Sequence, residues 1–451
     1  MRCFLIGFLL SLLLSRFAYA TDYYVDPGGN DDADGTSEKS AWKTLGRVER
    51  QPLEPGDSIN LRAGATWHES IRLTRSGTPQ KPISLRGYGA GPATSYPTIS
   101  GADETGKPVR DYCLDIAASH VVIVGIEFTA AANPQRGAIM IWADQDRTDI
   151  TIARCRISES RGRGIWVAGD DAKTVSKLLI SGCEFLKNDG SGIQISKMAG
   201  LSISGNRFSG NCRKPVDEWQ AAIRLWSADV SNVRISQNRI GDQLFGLDRG
   251  AGMGIHIDEV GAGVSVGNND IFDCDGSGIV VENTRGVEVS FNVIANVATG
   301  IFAYRAGHDH NIHRNAIFAR ELGIVLQGHR ANGVNAGPEI LVKENLFTNN
   351  RVESNVAITE KYSPLKVIGG AEQASGALIN KIGNNAFGPP KPNLVEWGPG
   401  LLSSYAELEK MVGAKQDGEL DVKFARRKDG EGWERIDANK GLLPAGARRS
   451  D

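Results

Sequence analysis

The chain has 451 residues, 41% hydrophobic and 23% charged, so it is long enough to bury a large core. Its formal net charge of −2 gives no electrostatic case for nucleic acid or an anionic membrane as partner. Glycine is abundant at 54 residues, which suits a fold that turns tightly and often.

Met1-Arg2, the apolar run Phe4 to Leu14 and Ala18-Tyr19-Ala20 read as a secretory signal peptide cut after Ala20. The run is too short to span a bilayer, and no later stretch is longer. The mature chain is therefore expected to be exported, secreted or periplasmic, without membrane insertion.

Residues 21–110 read as an N-terminal cap with the first coils of a longer stack. Within them, Asn30-Asp31-Asp32-Ala33-Asp34-Gly35 is a turn dense in oxygen ligands, either an Asx-rich turn or a calcium loop. Trp42, Leu45 and Val48 have helical spacing across Ala41 to Leu53, a helix expected to cover the open end of the stack.

From there one phrase keeps returning: a small residue, then apolar, any, apolar, any. It reads Ala138-Ile-Met-Ile-Trp142, Gly164-Ile-Trp-Val-Ala168, Gly192-Ile-Gln-Ile-Ser196 and Ala222-Ile-Arg-Leu-Trp226. It continues as Gly254-Ile-His-Ile-Asp258, Gly278-Ile-Val-Val-Glu282, Gly300-Ile-Phe-Ala-Tyr304 and Gly323-Ile-Val-Leu-Gln327. From Gly164 on, each copy follows the last by 22 to 32 residues, a solenoid period in which each unit buries its apolar side on its neighbours. An Asn alternates with the phrase at Asn206, Asn238, Asn269, Asn292, Asn315, Asn345 and Asn385, with Cys155 and Cys183 in the equivalent earlier slots. An Asn repeated at one inward corner can bond the coils above and below it. Cys155 and Cys183 then fall about 4.8 Å apart, close enough for a disulfide, although in-register thiols point the same way.

On these phrases, residues of roughly 110 to 390 resemble the pectate-lyase-like superfamily, whose members are mostly secreted polysaccharide lyases, hydrolases and epimerases. The resemblance implies an all-β fold, a right-handed parallel β-helix over 111–390 with an N-terminal cap helix. After Pro389 the chain becomes Pro-rich and then charged, and 391–451 reads as a C-terminal cover and tail.

Alternation sends the "any" positions outward in two rows. One is Met140, Trp166, Gln194, Arg224, His256, Val280, Phe302, Val325; the other is Trp142, Ala168, Ser196, Trp226, Asp258, Glu282, Tyr304, Gln327. Loops at 209–220 and 241–253 enter just before the strands of Arg224 and His256 and would wall a groove there; a third lies at 328–339. The expected site is Arg224, His256, Asp258, Glu282, Tyr304 and Arg305 as the chemical groups. Trp166, Gln194, Trp226 and His308 are the sugar-contacting ones.

Three chemistries fit that set. A β-elimination lyase would use His256 or Tyr304 as base and acid, with Arg224, Arg305 or a calcium on Asp258 and Glu282 neutralising a uronate carboxylate. A hydrolase would use Asp258 and Glu282 as its carboxyl pair. A uronate C5-epimerase would add a proton donor on the other sugar face. The Lys-and-Arg context of calcium-dependent alginate and chondroitin lyases is not found, nor are the Asp-Asp and Gly-His-Gly signatures of polygalacturonases; Asp170-Asp171 falls just past a strand. His308, His310 and His313 with Asp309 invite a metal but sit at a corner, where exposed polar residues are expected. Trp42, Trp67 and Trp219 are assigned to packing. The sequence thus points to an exported, monomeric enzyme that cleaves an acidic polysaccharide, most simply by β-elimination, with a hydrolase next and a non-catalytic glycan-binding solenoid as the alternative.

Overall fold

The structure is a computed structural model. It describes residues 20–327 apart from loop segments at 90–94, 170–172, 217–218, 228, 244–251 and 305–308, and shorter stretches, mostly strands, beyond 327. Asn345, Asn385, Arg305, His308, Asp170, Asp171 and the 328–339 loop lie outside the described residues.

The chain winds into a solenoid of parallel strands. Parallel pairing starts at Asp22–Val25 against Ser58–Arg62 and runs through a 13-stranded sheet, while a 24-stranded sheet holds the other rows. Each regular turn carries three strands: Val264–Gly267, Asp270–Phe272 and Ile279–Glu282 make one such turn. Two of the three correspond to the Asn corner and the repeated phrase. The third is the row of the 13-stranded sheet, which counting phrases left out. The aliphatic positions of the phrase meet inside, where Ile223, Leu225, Ile255, Ile257 and Ile279 are fully buried in one continuous core.

The small residue that opens each phrase is set by close approach. A Cβ on Gly254 would lie 2.5 Å from the carbonyl oxygen of Gly278, and one on Gly192 would lie 2.8 Å from that of Ala222. Any larger side chain there pushes neighbouring turns apart.

The Asn corner is a continuous hydrogen-bonded column. Asn206 donates its backbone N–H and its side-chain amide to Asn238 Oδ1, both at 3.0 Å. Asn238, Asn269 and Asn292 repeat the pattern down to Asn315. Cys183 heads the column through its backbone N–H, and Cys155 N–H reaches Cys183 Sγ at 3.4 Å. Both cysteines are free, buried thiols. A second, shorter column joins Asn188 to Asn211 at 2.8 Å; no phrase had marked it.

The helix α1 (Leu45–Arg50) is capped by the Thr44 side chain and buries Leu45 and Val48 against the core. Trp42 stacks on Tyr23 with ring centroids 4.7 Å apart. In the preceding turn, Asp31 accepts from Lys43, Thr44 and the Thr44 hydroxyl, and Asp34 from Thr36 and Ser40. These carboxylates serve as turn and cap acceptors, the hydrogen bonding of an Asx-rich turn. Far down the chain, a hairpin of Val422–Arg426 and Trp433–Asp437 reaches back: Arg426 pairs with Asp273 at 3.0 Å and Arg427 with Asp270 at 2.8 Å.

Candidate active site

Eight strands of the phrase carry the outward rows: β1 (Gly137–Ala143), β2 (Arg163–Gly169), β3 (Ile193–Ile195), β4 (Ala221–Trp226), β5 (Met253–Asp258), β6 (Ile279–Glu282), β7 (Val293–Tyr304) and β8 (Ala316–Gln327). Their register is the one alternation predicts. Trp166 pairs with Gln194, Gln194 with Arg224, Arg224 with His256 and His256 with Val280. In the other row Trp226 pairs with Asp258, Asp258 with Glu282 and Glu282 with Tyr304. The side chain of Tyr304 lies outside the described residues.

One expectation is corrected. The first row is largely covered: His256 is 0% exposed, Gln194 5% and Arg224 6%, and Glu282 of the other row is 2% exposed. They are not in the solenoid core either. A separate apolar cluster of Ala221, Met253 and Val280, with Trp219 and Phe302 against it, covers this face. The covering comes from the loop before β4. Buried Asp189 holds Arg213 and Lys214, each at 2.8 Å, and Gln220 donates to the Lys214 carbonyl at 2.8 Å. That anchorage brings Trp219 to 5.9 Å from the His256 ring. Trp219 packs, as the sequence suggests, and the tertiary path of its loop sets that packing against Ala221, Met253 and Val280 beside His256.

Three groups converge beneath it. His256 Nε2 lies 3.2 Å from Glu282 Oε2. In the tautomer with its proton on Nε2, His256 donates to Glu282, and Nδ1 is then a buried acceptor without a hydrogen-bond partner. One ligand atom each of His256, Asp258 and Glu282 lies within 4.8 Å of the others. Asp258 is the partly exposed member, with Asn283 donating to it at 3.2 Å. Burial pushes its carboxyl above its ordinary value and the Glu282 charge adds to this, while His256 and Asn283 pull the other way. The Arg224 guanidinium sits 5.9 Å from the Trp226 ring, and Trp226 itself is 44% exposed.

His256, Asp258 and Glu282 could hold a metal, but one imidazole and two carboxylates do not offer the all-oxygen shell that calcium takes. The calcium expected at Asp258 and Glu282 therefore fits poorly, and a metal that accepts imidazole nitrogen suits the donors better. The His310 cluster is also not as expected. His310 is 1% exposed and accepts from the Val287 N–H at 3.3 Å, while His313 faces Glu288 at 3.4 Å.

The fold and this face define a right-handed parallel β-helix protein. The chain matches the family described as "Right handed beta helix region" over residues 118–317 and 225–387, and it belongs to that family. Among curated relatives, it is 27% identical over 180 residues to the uncharacterized protein YwoF of Bacillus subtilis, covering 37% of this chain and 36% of that protein. Among solved structures, it is similar to the complex of XylC with xylose, at a TM-score of 0.56 and 12% identity, covering 91% of this chain and 88% of that one. A mannuronic acid specific polysaccharide family 6 lyase from human gut microbiota matches at a TM-score of 0.51 and 15% identity, covering 89% and 92%. These two likenesses establish the shared fold.

Proposed function

We propose that the chain is an exported carbohydrate-active enzyme that cleaves a polysaccharide, using Asp258 and Glu282 as the carboxyl pair of a glycoside hydrolase. One observation carries the reading. Two carboxyl groups from adjacent turns approach within 4.8 Å, one partly exposed with its proton affinity raised, the other buried against His256. That asymmetry is what acid–base cleavage of a glycoside needs. Asp258, with its raised proton affinity, is the general acid that protonates the leaving oxygen. Glu282, oriented by His256, is the nucleophile. A close pair favours retention: Glu282 forms a glycosyl ester, and water deprotonated by Asp258 then releases it. Trp226 offers an exposed ring face beside Asp258 for a sugar. The solved structures of similar fold include one holding xylose and one specific for mannuronic acid, which supports a carbohydrate substrate.

A second reading rests on the register of Arg224 beside His256. A cation next to a base is the arrangement that β-elimination of a uronate requires. His256 Nε2 is engaged with Glu282 Oε2 at 3.2 Å, which favours the carboxyl pair as the reacting groups. The deciding experiment incubates the purified chain with xylan, alginate, pectate and neutral glycans while following reducing ends and ultraviolet absorbance together. New reducing ends without absorbance of an unsaturated uronate support the hydrolase. Absorbance rising with chain cleavage would replace it by the lyase, and binding without cleavage would leave a glycan-binding solenoid.

A further inference from the structure

We infer that the site continues toward the N-terminal turns as a trough for a linear polysaccharide, closed by a remote sugar platform at Trp142 and Trp166. The inference deepens the proposed function and rests on it: the substrate is a chain extending several sugars beyond the cleaved bond, rather than a short saccharide.

Exposure is the first ground. Among the described residues, Val109, Trp142, Leu179 and Trp226 are the large apolar side chains more than a third exposed. Both tryptophans fall in the same outward row, on β1 and β4. Exposing two indoles on one face costs hydration free energy that a purely structural row would avoid, and such surfaces mark binding sites.

Geometry is the second. Trp142 and Trp166 meet edge-on with centroids 5.6 Å apart, so each props the other upright. Arg163 steadies Trp166 from beside it, its guanidinium 5.5 Å from the ring and its Nε donating to Gln194 Oε1 at 2.7 Å. Trp142 and Trp226 are three rungs apart, about 14 Å along the solenoid axis. Between them the row carries only Ala168, paired with Trp142, and Ser196, whose backbone N–H donates to Val167 at 2.9 Å. Small side chains between two raised aromatic ones leave a shallow trough. Its end at Trp226 meets Asp258 in register. The trough is therefore continuous with the carboxyl pair, and its occupant is more of the same glycan, lying parallel to the axis.

The test compares chain lengths. Xylo-oligosaccharides and oligomannuronates of increasing length are titrated against Glu282→Gln by calorimetry, with and without Trp142→Ala and Trp166→Ala. Turnover of the same series is measured in the catalytically intact background. Affinity is expected to rise with length until the chain spans the trough. The two Trp variants should weaken the long ligands about tenfold, as KM rather than kcat, and the shortest cleaved substrate far less. Trp142→Phe should retain most of the affinity, and unchanged melting temperatures will show that the variants fold. Equal losses on short and long ligands, or no loss on either, would overturn the trough while leaving the hydrolase reading intact. No binding or cleavage of any glycan would overturn both.

Discussion

In the proposed mechanism Glu282 is the residue on which the chemistry turns. Glu282→Gln keeps the shape of the site but removes the proposed nucleophile, so kcat should fall by about a thousandfold or more with the fold retained. Azide added to Glu282→Ala should restore glycosyl transfer and give a glycosyl azide; failure of rescue with intact binding would point to inversion or to the lyase. Asp258 makes a prediction in pH. Its folded-state carboxyl holds its proton above the ordinary value of 3.8, so between that value and its own the native state binds more protons than the unfolded chain. Stability is therefore lost as pH rises through that window. Asp258→Asn should melt higher than wild type at neutral pH, and the gap should close below about pH 3.8, where both side chains are neutral. Activity should decline on the alkaline side as the acid loses its proton, and that limb should vanish in Asp258→Asn. A gap in melting temperature that does not change with pH would contradict the assignment.

At the scale of the element, the Asn column is the most exposed to single changes. Asn238→Ala leaves the two Asn206 donors without their Oδ1 and removes donors from the Ile203 carbonyl and Asn269, all in a residue 1% exposed. A loss of about 3 kcal/mol is expected in urea unfolding. Gly254→Ala acts differently, since its Cβ meets a backbone carbonyl at 2.5 Å that cannot swing away. It should destabilise and also loosen the register between β5 and β6, lowering activity along with stability. The column was legible because an Asn at a fixed spacing has few other purposes. Asn188 and Asn211 form the same kind of column but occur once each in irregular turns, so no repeat exposed them.

For the whole molecule, the described cysteines are free and buried, and burial pushes the Cys113 thiol up to about 12. A reducing agent should therefore leave the melting temperature unchanged; a clear drop would reveal a disulfide at Cys155 and Cys183. The proposed export gives a further check. Thr21 donates its N–H to Asp57 at 2.8 Å and its carbonyl accepts from Ser58, so cleavage after Ala20 would leave the first strand anchored. N-terminal sequencing of the exported product should begin at Thr21.

The sequence by itself determined the solenoid, its register and the pairing of Arg224 with His256 and of Asp258 with Glu282. A period of aliphatic positions permits one stacking, and stacking places equivalent positions side by side. It could not determine which of those neighbours stay wet. The cover over His256 includes Trp219, on a loop anchored through Asp189 a turn away. That contact follows no periodicity, so only the tertiary structure decided it. The same limit explains Asp258: the pattern placed a carboxylate beside a carboxylate, and only the three-dimensional burial of each made them unequal.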